Sequence, residues 1–247
     1  MKKLPYIYFI IVVLLASACS KNSQDSTPIV NTSNSSNIQF FLATVGASRN
    51  LITVDGNRIN RPTLAAGTCF PTAVYPSTNT SLAFAIGGGL HSFTVVDTLV
   101  TTMQKPLTFA GTFEAGKYYS IFMYDTITNP KQVTVESKIE IPADNTARLR
   151  FANFIHDVNA VPAVEVFSTR RNEVVFPNVN KTDVTSFIPY SSTVNDTLIV
   201  RQVGTTTALA TFNGFFPTQK RSYTLVYRGS NRTPTTTPKA VTVFANY

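Results

Sequence analysis

Tryptophan is absent from this chain, and among its 247 residues there are three methionines, two cysteines, two histidines and only 14% charged side chains. Each shortage removes a class of chemistry. With Cys19 and Cys69 as the only thiols and His91 and His156 as the only imidazoles, no ligand set has the spacing of a structural zinc site, and a disulfide-dense scaffold is excluded. No Asp-x-Asx-x-Asx-Gly loop offers itself to calcium; Asp55-Gly56-Asn57 and Asp144-Asn145 are the nearest material and read as turns. A Gly-x-Ser-x-Gly elbow is missing, and Gly87-Gly88-Gly89-Leu90-His91 lacks the partner motifs of an oxyanion loop, so its glycines read as a tight bend between two strands. No metal, cofactor or catalytic residue is expected. Lys and Arg outnumber Asp and Glu by 21 to 13, but they are scattered, which is not the dense stripe a nucleic-acid surface requires, and no nucleic acid is expected as partner.

Long apolar runs are scarce too. The clearest follows Met1-Lys2-Lys3, extends from about Tyr6 to Leu15, and gives way through Ala16-Ser17-Ala18-Cys19 to polar Ser20-Lys21-Asn22-Ser23. It is too short for a membrane span and reads as an export signal. The arrangement resembles a bacterial lipoprotein signal. That resemblance implies removal of residues 1–18 and acylation of Cys19, with several chains holding the mature protein in the lipid bilayer. The expected address is the cell envelope, at the outer membrane, facing the periplasm or the exterior. Loss of Lys2 and Lys3 takes the formal charge from +8 to about +6. Cys69, between apolar and aromatic neighbours, then reads as a buried, inert thiol.

Residues 19–37 are Ser, Asn, Thr, Gln and Asp with little to bury, and read as a flexible tether. Beyond them, short β-branched and aromatic runs recur between Gly, Pro, Asn and Asp punctuation, and no convincing helical stripe appears. The runs of the first half, 38–141, are repeated in order in the second, 142–247. Arg148–Phe154 stands where Ile38–Ala43 does, Ala163–Phe167 for Leu51–Val54, and Thr197–Arg201 for His91–Val96. Ala208–Phe212 corresponds to Leu107–Phe109, Ser222–Tyr227 to Tyr118–Tyr124, and Ala240–Phe244 to Gln132–Glu136. Tyr119 and Tyr223 lie 104 positions apart. The prediction is an all-β chain of two tandem immunoglobulin-like antiparallel β-sandwich modules. In Tyr118–Tyr124 both alternating faces are apolar, which predicts that one of them covers another module or a partner.

The run Ala147-Arg148-Leu149-Arg150-Phe151-Ala152-Asn153-Phe154-Ile155-His156-Asp157, followed by Pro162–Phe167, resembles the opening of the DUF4397 domain of bacterial secreted and lipid-anchored proteins. Phe40–Val45 is a looser version. Phe113–Tyr119 is similar to that family's late glycine-and-tyrosine hairpin, whose glycine is replaced near Pro217–Lys220 in the second half. The resemblance implies a fold; the family carries no assigned activity.

Two groups of residues qualify as binding candidates. His156-Asp157 is the best candidate for chemistry, as base and orienting carboxylate. Adjacent strand residues point to opposite faces, however, and the structural alternative is that Asn153, His156 and Asp157 bond to loop backbone around Asn159. Phe212, Phe215 and Phe216, around Asn213-Gly214, form a loop-like aromatic cluster: either a tip for sugar or protein, or a plug on the end of the module. Asp97-Thr98-Leu99, Asp125-Thr126-Ile127 and Asp196-Thr197-Leu198 look like Asp-Thr-aliphatic glycosylation acceptors, or are plain turn-to-strand junctions. The leading expectation is a non-enzymatic envelope lipoprotein that binds an extracellular glycan, polymer or protein. The alternatives are a structural accessory subunit of an outer-membrane uptake or adhesion assembly, and a hydrolase built on His156 or His91 with residues from distant loops.

Overall fold

The computed structural model describes residues 34–60, 64–65, 73–76, 82–99, 101–157, 159–230 and 237–247. The signal, Cys19, Cys69 and most of the expected tether lie outside the described residues. The first half supplies β1 (Ser35–Leu42), β2 (Asn50–Val54), β3 (Asn57–Arg58), β4 (Val74–Tyr75), β5 (Phe84–Gly87), β6 (Gly89–Asp97), β7 (Leu107–Phe113), β8 (Tyr118–Tyr124) and β9 (Lys131–Glu136). The second supplies β10 (Ala147–His156), β11 (Val164–Ser168), β12 (Glu173–Val179), β13 (Ile188–Tyr190), β14 (Asp196–Gln202), β15 (Ala208–Phe215), β16 (Ser222–Ser230) and β17 (Ala240–Ala245). The first strand therefore starts at Ser35, inside the stretch read as tether.

These strands make an all-β fold of four sheets, and the two halves share one plan. In the first half the sheet orders are β4-β1-β8-β9, with β5 also on β1, and β3-β2-β6-β7; in the second they are β13-β10-β16-β17 and β12-β11-β14-β15. Pairing is not wholly antiparallel, which corrects the sequence expectation: β1 runs parallel to β8, and β10 to β16. Parallel neighbours need a long connection, and a whole second sheet is threaded between each pair. Gly88 sits where the chain leaves β5 in one sheet for β6 in the other, the bend expected of the three glycines. Asp55 and Gly56, with φ of 50° and 80°, make the two-residue turn between β2 and β3 that the Asp-Gly pair foretells.

Three buried clusters follow from strand alternation. Ile38, Phe40 and Leu42 of β1 and Ile121 and Met123 of β8 meet Ile52, Val54, Phe93 and Val95 of β2 and β6. Leu149, Phe151 and Leu225 of β10 and β16 likewise meet Val164, Val166, Leu198 and Val200 of β11 and β14. The intervening residues of the same central strands, with Phe244 of β17, build the third cluster: Phe41 and Phe122 from the first half, and Ala152, Phe154, Val226 and Phe244 from the second. Rings stack across it, Phe41 on Phe244 at 5.3 Å and Phe122 on Phe154 at 4.8 Å. The second apolar face of Tyr118–Tyr124 is thus spent on the other half, and residues 32–247 form one compact unit.

The replaced glycine has a local explanation. Gly116 has φ 81° and Lys220 φ 59°; Glu114 N–H donates to the Tyr119 hydroxyl at 3.1 Å and Thr218 N–H to the Tyr223 hydroxyl at 3.0 Å. Lys220 therefore carries, with a side chain, the left-handed turn that glycine adopts freely. Lys220→Gly is expected to stabilise the protein by roughly 0.5–1 kcal/mol, read as a shift of the urea midpoint. Gly229 is the opposite case. Its φ is 93°, and an added Cβ would lie 2.2 Å from the Pro238 carbonyl oxygen. Gly229→Ala is expected to cost on the order of 2–4 kcal/mol in the same experiment.

Candidate functional site

His156 and Asp157 are directed to different partners. His156 ends β10 with Nδ1 3.1 Å from Asp125 Oδ1 in the first half, a close polar contact without hydrogen-bond alignment. Asp157 turns back on its own loop and accepts the Asn159 N–H at 3.1 Å. Asn153 is directed elsewhere again, its amide donating to the Val179 carbonyl at 3.2 Å. Asp125 follows β8 with φ 74°, and Lys131 Nζ lies 2.8 Å from its Oδ2. Burial alone would raise its carboxyl, but Lys131, His156 and Lys181 hold it below the usual carboxylate range. This cluster is a polar latch between the halves. The other histidine is also paired with an aspartate: His91 Nδ1 lies 2.7 Å from Asp55 Oδ2 and Nε2 lies 2.8 Å from the Gly87 carbonyl.

The aromatic cluster differs from expectation in its placement. Phe212 and Phe215 belong to β15, not to a loop, and Asn213-Gly214 is a bulge in it: Phe212 opposes Leu198, Phe215 opposes Asp196, and the register shifts between them. The extra residue, with Gly214 at φ 71°, turns two rings three positions apart towards the same core. Phe215 is 3% exposed and packs edge-on against Tyr223 at 5.7 Å, leaving Phe216 at 55% as the solvent-facing ring. The three Asp-Thr pairs sit at strand ends or starts. Asp97 accepts the Leu99 N–H at 2.7 Å, Asp125 the Thr126 N–H at 3.0 Å, and Asp196 the Arg170 N–H at 3.0 Å.

A group missed by sequence reasoning lies where the halves join. Arg148 and Arg150 alternate on one face of β10, so both project towards the first half. Arg150 is 2% exposed. Its Nε donates to Thr224 Oγ1 at 2.8 Å, its Nη2 donates to Ser120 Oγ at 2.7 Å, and its guanidinium lies 4.6 Å from the centre of the Phe187 ring. These partners are neutral. No carboxylate among the described residues lies within ion-pair distance of it, and burial lowers its pKa to about 9. The hydroxyls belong to a network across the junction. Ser120 pairs with Ser137 at 2.8 Å, Thr224 donates to Asn246, and Asn246 Nδ2 donates to Gln39 Oε1 at 2.8 Å.

Above Arg150 opens a cleft of about 300 Å³. Its walls are the edge strand β9 with Glu136, the following link with Lys138 and Glu140, β10 with Arg148 and Arg150, and the segment from Val184 to Phe187. That last segment is held to β10 through the Phe151 N–H, which donates to Thr185 Oγ1 at 2.9 Å, and through the Thr185 N–H, which donates to the Phe151 carbonyl at 2.8 Å. Glu136 is itself paired with Lys117 at 3.1 Å. The only sequence signal for this site was a pair of arginines at even spacing at the start of a strand whose following residues, Phe151 and Ala152, are apolar.

Comparison with known proteins adds little. No protein-family model matches the chain, and no curated protein does. Among solved structures, the Bacillus anthracis TIE protein is similar at a TM-score of 0.24 and 13% identity, over 80% of this chain and 34% of that one. The chain thus spans about a third of that protein, and a likeness of this degree carries no argument about fold or function.

Proposed function

We propose that the chain is a non-catalytic, envelope-anchored binding protein of the DUF4397 type, whose two halves are immunoglobulin-like β-sandwiches and whose Cys19 carries the lipid. The ligand is an extracellular glycan, polymer or protein. The observation carrying this reading is the junction cleft, a concave, preformed site with the buried cation Arg150, hydrogen-bonded to neutral Thr224 and Ser120, in its wall. An accessory-subunit role in an uptake or adhesion assembly would draw on an exposed apolar sheet face. The apolar outer faces of the central strands are instead packed against each other, which favours binding over assembly. Loop tips around Phe212 and Phe215 lose their appeal because those rings serve the core.

Envelope polysaccharide and protein extracts passed over the immobilised mature chain test this reading. Saturable capture is expected, abolished by Arg148→Glu with Lys138→Glu and unchanged by Phe216→Ala. Capture that ignores the cleft pair and vanishes with Phe216→Ala would overturn it.

A further inference from the structure

We propose that the junction cleft recognises an acidic saccharide, seating the sugar's carboxylate or sulfate against Arg150 and Arg148. The inference deepens the binding reading above and rests on it. Three features of the cleft converge on this ligand chemistry.

The first is charge. Arg150 is removed from water, yet its hydrogen bonds go to Thr224 and Ser120, which bring no negative charge. A desolvated guanidinium is costly without a counter-charge, and it is geometrically suited to an oxyanion. Arg148 stands two residues away on the same face, and Lys138 lines the same cleft. An anion entering here meets three cationic side chains, at least one of them already desolvated.

The second is size and surface. About 300 Å³ is far more than a bare inorganic ion fills and is on the scale of a sugar ring. Phe187, which already carries the Arg150 guanidinium at 4.6 Å from its ring centre, gives this space an apolar side together with Val135 and Val184, against which the C–H groups of a sugar ring can pack. The third is the presence of Glu136 and Glu140 in the same lining. Carboxylates repel a simple anion but accept hydrogen bonds from hydroxyls. Acidic and basic groups in one cleft therefore suit a ligand that carries both an anionic group and hydroxyls, which is the chemistry of a uronic acid or a sulfated sugar.

The test is calorimetric titration of the full mature chain in detergent with sodium glucuronate, glucose 6-sulfate, glucose, sodium acetate and sodium sulfate at constant ionic strength. Saturable binding of glucuronate or glucose 6-sulfate is expected, at least tenfold tighter than that of glucose, acetate or sulfate. Arg148→Ala with Lys138→Ala is expected to weaken it at least tenfold while leaving the melting temperature within a few degrees. Glucuronate titrated into isotopically labelled protein provides a readout free of substitutions, with amide shifts expected at residues 148–150 and 184–187. Equal binding of glucose would overturn the acidic class while leaving a glycan-binding cleft intact. Equal binding of acetate and sulfate would make the cleft an ion site and overturn the saccharide. Absence of all binding overturns the inference, and the binding reading then falls only if the extract capture fails as well.

Discussion

Phe122→Ala is expected to lower the free energy of unfolding by about 3–5 kcal/mol, the cost of emptying an aromatic-sized space that its neighbours do not collapse to fill. Phe122 has no exposed surface and touches three partners in the layer between the halves: Phe41 at 6.2 Å, Phe154 at 4.8 Å and Phe244 at 6.5 Å. It also lies under the guanidinium of Arg150, 5.9 Å from its ring centre. Urea denaturation followed by tyrosine fluorescence measures the loss. A cost below about 1 kcal/mol would mean that this layer is a contact of convenience, because a fully packed phenylalanine cannot be removed so cheaply. Because Arg150 and Phe122 are in contact, Phe122→Ala is also expected to interact non-additively with Arg150→Met in a double-mutant cycle.

The second large effect is expected at Asp196. This carboxylate is 4% exposed and begins β14, where it accepts the hydroxyls of Ser168 and Tyr190 and, at Oδ1, the Thr169 hydroxyl at 3.3 Å and the Arg170 N–H at 3.0 Å. Asp196→Ala removes the acceptor for all of these donors at once. Several of them are buried, and an expected loss of about 3–5 kcal/mol follows. The pH dependence has a definite sign. Burial would raise the carboxyl, but the Ser168 and Tyr190 hydroxyls and the Arg170 and Thr197 N–H groups outweigh it and hold its pKa below the usual range. A carboxylate depressed in the folded state contributes stability above its unfolded pKa and loses it as pH falls through the folded value. The wild type is therefore expected to lose stability below about pH 4, with Asp125 contributing in the same direction, and Asp196→Ala should show a shallower acid dependence in urea melts at graded pH. An unchanged acid slope would show that Asp196 is not the group responsible.

The strands most readable in the sequence were central ones. β6, β8 and β14 carry β-branched and aromatic residues between turn formers, and their bounds differ little from those expected. Edge strands were harder. β12 and β13 contain Pro177 and Pro189 and correspond to none of the runs picked out in the sequence, although proline is tolerated in an edge strand where no partner needs its N–H. The two-faced apolar pattern of β8 did announce a covering surface, but nothing local could say that the cover was the other half of the chain. The site was less readable for related reasons. Asn213-Gly214 carries the signature of a hairpin turn and is spent on a bulge, because Phe212 and Phe215 need the same side of β15. His156 meets Asp125 and not its own neighbour, since the latch is formed by two strand ends brought together by tertiary packing. Arg150 was passed over because an arginine in a strand reads as solvent-facing. Its burial depends on Ser120 and Thr224, which lie on strands of different halves.

Scanning calorimetry of residues 32–247, the compact unit, bears most directly on the junction, since the cleft exists only if the halves hold one another. One transition is expected, with calorimetric and van't Hoff enthalpies equal within error, and Phe122→Ala should lower its midpoint as a whole. Two separable transitions, with only one of them moved by Phe122→Ala, would contradict a shared core and remove the basis for a site between the halves.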